Sequence, residues 1–255
     1  MQILQITDPH LYGNAGGRLR GVETDSSLRA VLDDAFARVP DYSAVLVTGD
    51  LVQDDPMGYL RFRSIFGGLQ KPVLCIPGNH DEPAAMRKEL IGPPFQICGA
   101  HEADGWQFIM LDSYEPGHVG GRLTPNELAR LDETLRRSPK HAIVCLHHHP
   151  IFMGSLWLDT VGLAEPEAFW RVIDSHSHVR AVVWGHVHQV HDGKRGAVRL
   201  FGTPSTCAQY LPRSDRYAVD SRPPAYRHFD LHADGRIDTQ VHWIDAKSMR
   251  QSLAR

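Results

Sequence analysis

Residues that can bind a metal ion or move a proton follow five apolar segments of this chain. One such place is segment 77–81, PGNHD, which comes directly after the apolar run 73–76. Asn79 offers an amide oxygen, a good ligand for a hard divalent cation, and His80 can move a proton near neutral pH. The other four places hold Asp8 with His10, Asp50, His147, and His186 with His188. Because imidazole is the commonest metal ligand in proteins, these positions predict a metal centre.

The candidate ligands are too many for one metal ion. Carboxylate, amide and imidazole groups together suit Mn, Fe, Zn, Co or Ni better than Mg or Ca, and the absence of cysteine ligands argues against a structural zinc site. Seven protein ligands, one of them a shared carboxylate, fit two metal ions about 3.5–4 Å apart. Such a pair clamps the attacking and leaving oxygens of a displacement at phosphorus. We therefore predict a two-metal phosphoesterase.

Strands and helices must alternate to position these residues. Apolar runs predict strands, and helical spacing of apolar residues predicts helices between them. The predicted strands are 3–7, 44–47, 72–76, 106–111, 142–146, 181–184, 197–201, 225–231 and 236–243. We expect a mixed α/β fold of two sheets flanked by helices, in the order α-β-β-α. It forms one domain over residues 1–255, with a β-rich part at 197–245 and a loosely held tail from Lys247. Ligands bind at the carboxyl ends of the strands in open α/β sheets, so the candidate residues should meet there.

The composition excludes several classes of function. The 255 residues carry a net charge of −3, so no basic surface for a nucleic-acid polymer is expected. No apolar run approaches the ~20 residues of a membrane helix, and we expect no secretory signal because the first residues predict a strand. The four scattered cysteines are expected to be buried free thiols. We predict a cytoplasmic protein that acts on a small molecule.

Five short blocks give the chain a family resemblance. These blocks are Asp8-x-His10, Gly49-Asp50, Gly78-Asn79-His80-Asp81, the cluster at His147, and Gly185-His186-x-His188. In this order they resemble the signature blocks of the calcineurin-like metallophosphoesterases. The flanking sequence is most similar to the bacterial class III cyclic nucleotide phosphodiesterases of the cyclic-AMP type. The segments that carry this closer similarity are 4–8, 48–51, 146–150, 203–207 and 231–235.

The resemblance implies a role for each block. Asp8, His10, Asp50 and His188 hold one metal ion. Asp50, Asn79, His147 and His186 hold the other, so that Asp50 bridges the pair. His80 contacts the phosphate and donates a proton to the leaving oxygen. The residues implied in substrate binding are His10, Asp50, Asn79, His80, His147 and His188.

The same resemblance implies the reaction and its cofactors. A hydroxide that bridges two metal ions attacks the phosphorus of 3′,5′-cyclic AMP, and the 3′-oxygen leaves to give 5′-AMP. Fe and Mn are the metals that the family implies, while Zn, Co or Mg would fit the same residues. The sequence leaves open whether cyclic GMP is cleaved and what the oligomeric state is.

Two other functions compete with cyclic-AMP hydrolysis. The first is a broader phosphodiesterase acting on 2′,3′-cyclic nucleotides, glycerophosphodiesters or a nucleotide-lipid pyrophosphate. The second is a non-catalytic scaffold that binds proteins, which the intact ligand set disfavours.

Several individual residues also have alternative interpretations. His148 is the alternative to His147 as a ligand, whereas His149 is expected to be structural, as are Asp112 and Ser113. Asp81 could orient His80 or only begin the following helix. Three residues could either hold a nucleotide base or fill the core or surface: Tyr210, Arg213 and Tyr226.

Overall fold

The computed structural model describes residues 1–244, which form six helices and sixteen strands. The helices are α1 (Thr24–Arg38), α2 (Gly58–Phe66), α3 (Pro83–Glu89), α4 (Pro125–Arg137), α5 (Leu156–Asp159) and α6 (Pro166–Asp174). The strands are β1 (Gln2–Ile6), β2 (Arg18–Leu19), β3 (Val22–Glu23), β4 (Ala44–Thr48), β5 (Val73–Ile76), β6 (Phe95–Ile97), β7 (Gly99–Ala103), β8 (Trp106–Met110), β9 (His141–Leu146), β10 (Val179–Trp184), β11 (His191–Arg195), β12 (Val198–Gly202), β13 (Gln209–Tyr210), β14 (Val219–Asp220), β15 (Ala225–Leu231) and β16 (Ile237–Trp243). The predicted loose tail from Lys247 and the last residue of the predicted β-rich part lie outside the described residues.

Two six-stranded mixed sheets make up most of the fold. The first has the order β16-β15-β1-β4-β5-β6, and the second has the order β11-β12-β10-β9-β8-β7. In the first sheet β1, β4, β5 and β6 run parallel, and in the second β8, β9, β10 and β12 do. Antiparallel strands complete both edges of the second sheet and the β15-β16 edge of the first, whose other edge is the parallel strand β6. The parallel strands at the centre of each sheet therefore present their carboxyl ends along one edge.

Alternating side chains of the strands form separate hydrophobic layers. Ile3 of β1 and Leu46 of β4 pack with Ile143 of β9 and Val183 of β10, so the two sheets face one another. The neighbouring residue Leu4 points to the other face, as the two-residue period of a strand requires, and it joins a cluster with residues of α1 and α2. A third cluster joins α4 and α6 to the outer face of the second sheet.

The start of α4 is fixed by its local sequence. Thr124 precedes α4, and its Oγ1 accepts a hydrogen bond from the backbone N–H of Glu127. Pro125 occupies the first turn, where its missing N–H leaves no bond unmade. Leu131 and Leu135 provide the buried face of this helix. These leucines belong to the cluster that packs on the outer face of the second sheet.

The layered fold predicted from the sequence is confirmed. All nine predicted strands are present, with bounds that differ by at most two residues. The sequence reading missed the short or solvent-facing strands β2, β3, β6, β7, β11, β13 and β14, which lack buried apolar runs. Three cysteines are free and buried, as expected, whereas Cys98 is free but only half-buried. Among residues 1–244, none of the helices combines the length and the apolar character needed to cross a lipid bilayer.

Candidate metal centre

The carboxyl ends of five strands meet at one edge of the two sheets. Asp8 follows β1, Asp50 follows β4, Asn79 follows β5, His147 follows β9 and His186 follows β10. The ligand atoms of four triplets lie within 4.8 Å of one another. These triplets are Asp8-His10-His188, Asp8-Asp50-His147, His10-Asp50-His80 and His147-His148-His186. The structure therefore brings together the His and Asp residues that the sequence singled out.

Asp50 lies at the centre of this cluster. Its Oδ2 is 3.4 Å from Nε2 of His147 and 3.8 Å from Nε2 of His10. Its Oδ1 accepts a hydrogen bond of 2.9 Å from the backbone N–H of His80. On one side Nε2 of His147 also lies 3.3 Å from Oδ1 of Asn79. Asp50 thus contacts residues on both sides of the cluster, which is where a shared carboxylate would have to lie.

The other half of the cluster gathers around Asp8. Its Oδ1 lies 3.3 Å from Nε2 of His188, and that nitrogen is 3.2 Å from Nε2 of His10. The backbone N–H of His186 donates to both carboxylate oxygens of Asp8 at 3.1 Å. Thr7 also donates its hydroxyl proton to Oδ2 of Asp8 at 2.6 Å. Asp8 therefore links the first sheet to the loop that follows β10.

Five of the clustered residues have left-handed backbone conformations. Their φ angles are 52° for Asp8, 49° for His10, 50° for Asp50, 64° for His186 and 48° for His188. This region is uncommon for residues with a Cβ and costs about 1–3 kcal/mol each. Such conformations persist only where the surrounding structure determines them, and they concentrate at functional sites.

Glycines allow the loops of the two sheets to approach closely. A Cβ on Gly49, whose φ is 96°, would overlap the imidazole of His147. A Cβ on Gly78 would overlap the carboxylate and backbone nitrogen of Asp50. Glycine is therefore required at both positions if Asp50 and His147 are to lie side by side.

Backbone carbonyls fix the orientation of two histidines. The Nδ1–H of His147 donates to the carbonyl of Thr48 at 2.8 Å, and that of His188 donates to the carbonyl of Ala208 at 2.6 Å. In both residues Nε2 is therefore the nitrogen that faces the cluster. Nε2 of His186 is buried and has no hydrogen-bond partner among the described residues. A buried imidazole nitrogen without a partner, in a residue of this cluster, fits a metal ligand.

The ionisation states also suit metal binding. Burial opposes ionisation of Asp8 and Asp50, but the imidazoles of His188 and His147 outweigh it and keep the pKa of both carboxyls below its ordinary value. Burial lowers the pKa of His10 to about 3, so this imidazole is neutral at pH 7. Burial also lowers the pKa of His147, yet the Asp50 carboxylate more than reverses this and brings it to about 9. A bound metal ion would replace that proton, because metal and proton compete for the same lone pair.

The three consecutive histidines differ in their surroundings. Ser113 and the carbonyl of Val119 hydrogen-bond to the two nitrogens of His148, at 2.8 and 3.2 Å. His148 therefore has no free nitrogen for a metal ion, although it lies in one of the four triplets. His149 is buried, and its ring stacks on that of His186 with the centroids 5.7 Å apart. Of the three, only His147 directs a free nitrogen at Asp50.

His80 is more exposed than the other histidines of the cluster, with 31% of its side chain accessible. Its Nδ1 lies 2.9 Å from Oδ2 of Asp54 and 2.9 Å from Nε2 of Gln53. Burial acts to lower the pKa of His80, but the carboxylates of Asp50 and Asp54 outweigh it and raise the pKa. The sequence reading missed Asp54, although it follows Asp50 by only four residues.

Asp81 has neither of the roles that its sequence position suggested. Its carboxylate does not contact the ring of His80, and α3 begins only at Pro83. Instead it accepts hydrogen bonds from the backbone N–H groups of Gly78, Leu51 and Val52, and from the hydroxyl of Tyr59. Burial and the nearby Asp50 raise its pKa to about 7. Asp81 therefore ties together the two loops that follow β4 and β5.

A groove of about 440 Å³ opens beside Asn79 and His80. Its walls come from the loops after β4, β5 and β8. The lining residues are Val52, Asp54, Asp55, Pro56, Asn79, His80, Asp81, Glu82, Tyr114, Gly117, His118 and Val119. Four of them are carboxylates, and no lysine or arginine is among them. His80, the residue expected to donate a proton, is part of its lining.

The residues considered for binding a base lie elsewhere. Tyr210 stacks on the ring of His188, with centroids 4.2 Å apart. Tyr226 is buried in the core, where its hydroxyl donates to Asp34, and Arg213 is exposed. Asp112 pairs with Arg87, and Ser113 contacts His148 as described. None of these residues lines the groove beside His80.

Layered sheets whose strand ends gather carboxylates, imidazoles and an amide define a metal-dependent hydrolase. Residues 1–190 match the sequence model of the calcineurin-like phosphoesterase family. The chain belongs to this family, whose members use two metal ions.

Two relatives and one solved structure give the similarity in more detail. The 3′,5′-cyclic adenosine monophosphate phosphodiesterase CpdA of Vibrio vulnificus is 40% identical, over 97% of this chain and 92% of that protein. The protein of the same name from Pseudomonas aeruginosa is 35% identical, over 95% of this chain and 90% of that protein. A dimetal phosphatase from Danio rerio has a TM-score of 0.63 at 15% identity, and the match covers 96% of this chain and 99% of that one. The last similarity concerns the fold alone.

Proposed function

We propose that this protein is a dinuclear-metal phosphodiesterase that hydrolyses 3′,5′-cyclic AMP to 5′-AMP. The chemistry is supported by the gathering of candidate ligands around Asp50. The substrate is supported by similarity over nearly the whole chain to proteins named as cyclic-AMP phosphodiesterases. This second observation carries the proposal, because the metal site alone fits several phosphoesters.

The proposal divides the ligands into two sets that share Asp50. Asp8, His10 and His188 complete the first set, and their ligand atoms form one of the close triplets. Asn79, His147 and His186 complete the second set. The contacts of Asp50 Oδ2 with His10 and His147 support its place in both sets. Phosphate would bind between them, against the same residues and His80.

The donor set supports two transition-metal ions. Imidazole nitrogens outnumber carboxylates, which favours Fe, Mn, Zn or Co, and we propose Fe and Mn. Bound metal ions would lower the pKa of a coordinated water and withdraw charge from the phosphate oxygens. The chain itself would supply a buried pocket whose histidines are already oriented by Thr48 and Ala208.

His80 is the proposed proton donor. Hydrolysis joins a water oxygen to phosphorus and breaks the bond to the 3′-oxygen, which needs a proton to leave as a hydroxyl. The raised pKa of His80 favours the protonated imidazole that a proton donor needs. Because Nδ1 is held by Asp54, the proton would leave from Nε2. Asp54 thereby fixes the orientation of the ring and, together with Asp50, raises its pKa.

The acidic groove argues against one competing substrate class. A nucleotide-lipid pyrophosphate would bring a second charged phosphate toward Asp54, Asp55 and Glu82, where like charges repel. The organic part of a cyclic nucleotide carries no second phosphate, so it would meet no such repulsion. The groove does not separate 3′,5′-cyclic from 2′,3′-cyclic nucleotides, and direct turnover must do so.

The decisive test is turnover by purified protein supplied with Mn²⁺. The substrates are 3′,5′-cyclic AMP, 2′,3′-cyclic AMP and bis(p-nitrophenyl) phosphate, and released 5′-AMP is measured by chromatography. We expect kcat/KM for 3′,5′-cyclic AMP to be well above that for the other two. Cleavage of the generic diester without release of 5′-AMP would leave a phosphodiesterase and eliminate the cyclic-AMP assignment. A purified chain that binds almost no metal would instead support the scaffold interpretation.

A further inference from the structure

The ring of His188 needs more than the hydrogen bond of its Nδ1 to be held in place. The bond from Nδ1 to the carbonyl of Ala208 fixes which nitrogen faces Asp8 and His10. It still allows the ring to tilt about the line that joins the two bonded atoms. Tilting would turn the Nε2 lone pair away from the centre, and the distances to both neighbours would change.

Tyr210 removes this freedom. Its ring lies 4.2 Å from that of His188, and the planes are inclined by only 11°. Its backbone N–H also donates to the carbonyl of His188 at 3.4 Å. Tyr210 follows Ala208 by two residues, so one short segment supplies both the hydrogen-bond acceptor and the stacking face.

Tyr210 is in turn held by two other aromatic rings. Trp157 and Tyr217 each approach its ring edge-on, with centroids 5.3 Å away. Pairing of β13 with β14 places Tyr210 opposite Val219. The guanidinium of Arg20 lies 4.9 Å from the centroid of Tyr217 and holds that ring from the hairpin loop between β2 and β3. The stacking face is therefore part of a cluster fixed on several sides.

We propose that Tyr210 is a positioning residue for metal binding, which it supports by keeping the imidazole plane of His188 directed at the centre. The inference rests on the proposed metal site but not on the identity of the substrate. The aromatic face of Tyr210, and not its hydroxyl, should orient His188, because the hydroxyl forms no hydrogen bond with another residue in the described range 1–244. Phenylalanine should then replace tyrosine without loss, whereas leucine should not.

The test is calorimetric titration of metal-stripped protein with Mn²⁺. In Tyr210→Leu we expect one of the two Mn²⁺ sites to bind about tenfold more weakly, the lower end of the range for residues that orient metal ligands. In Tyr210→Phe both dissociation constants should stay within about twofold of the wild-type values, because the stack with His188 is kept. Circular dichroism before titration checks that each variant is folded.

Tyr42→Leu is the matched control. Tyr42 is also a stacked ring, 5.0 Å from Phe36, but it precedes β4 at the end away from Asp50. The Tyr42→Leu substitution should lower the free energy of unfolding and leave both Mn²⁺ dissociation constants unchanged. Wild-type Mn²⁺ binding by Tyr210→Leu would overturn the proposal, as would equal weakening by Tyr210→Phe or by Tyr42→Leu. Two Mn²⁺ sites in a wild-type chain that fails to cleave cyclic AMP would refute the proposed substrate and leave this inference standing.

Discussion

Replacement of His80 by alanine should affect two substrates very differently. The 3′-oxygen of cyclic AMP leaves as an alkoxide unless it receives a proton, whereas p-nitrophenolate is a stable anion and leaves without one. Asp50 and Asp54 outweigh the effect of burial and raise the pKa of His80, which favours its protonated form. The full contribution of a general acid, about 10²–10⁴-fold or roughly 3–5 kcal/mol in the barrier, should then be lost for cyclic AMP.

The assay compares kcat for cyclic AMP and for bis(p-nitrophenyl) phosphate in wild type and His80→Ala, with metal content measured in each. We expect kcat for cyclic AMP to fall at least 100-fold, as for a lost general acid, and kcat for the aryl diester to fall less than about tenfold. Asp50→Ala is the control for a lost metal centre, because its Oδ2 contacts both His10 and His147, and it should abolish both activities.

Two results would refute this reasoning about His80. Equal losses on both substrates, with metal content intact, would show that the imidazole binds the phosphate instead of protonating the leaving group. A wild-type rate on cyclic AMP would show that another group or water donates the proton. The first result would preserve the proposed location of the substrate, while the second would remove His80 from the mechanism altogether.

Three further substitutions test neighbouring features. Asp54→Asn removes a carboxylate that raises the pKa of His80. The decline of kcat at alkaline pH, which reports loss of the His80 proton, should therefore begin at lower pH. An unchanged pH profile of kcat would contradict this. Asp81→Asn leaves one acceptor oxygen for the four groups that donate hydrogen bonds to Asp81. It should lower the free energy of unfolding by about 2 kcal/mol, measured by urea titration in the presence of a chelator. A decrease below about 0.5 kcal/mol would contradict this. Glu82→Lys should raise kcat/KM for ADP-ribose, a pyrophosphate diester, relative to cyclic AMP by severalfold. Asp41→Lys makes the same charge change before β4, at the end away from Asp50, and an equal increase there would refute the role of the groove.

The sequence predicts this fold and the candidate ligands because both depend on strand ends. A buried parallel strand appears as a short apolar run, and the residues that follow it lie at the same edge as those of its neighbours. Asp8, Asp50, Asn79 and His147 could be grouped on this basis alone. The edge strand β11, with the sequence HDGKR, could not be recognised, because its exposed side chains carry no apolar period.

Residues that orient the site could not be predicted in the same way. Tyr210 reaches His188 through the path of a loop and a two-residue strand, and neither leaves a pattern in the sequence. Asp81 looked like a partner of His80 because the two are adjacent in the chain. Its carboxylate instead turns toward backbone amides of the preceding loop, a choice that depends on the loop conformation. In the loops that follow the strands, adjacency in the sequence therefore did not predict which side chains contact each other.

The contacts that hold the cluster together argue that the protein forms its metal site before metal binds. The carboxylate of Asp8, after a strand of the first sheet, accepts a hydrogen bond from the backbone N–H of His186, after a strand of the second. Nδ1 of His147 likewise donates to the carbonyl of Thr48 in the first sheet. These bonds use atoms of the protein alone, and they keep the left-handed backbone of Asp8 and His186 in place. Metal removal should therefore leave the layered fold intact, while substitution of Asp8 should weaken both metal binding and stability. A chelated wild-type chain that loses its cooperative urea transition would show that the metal ions, and not these bonds, organise the strand ends.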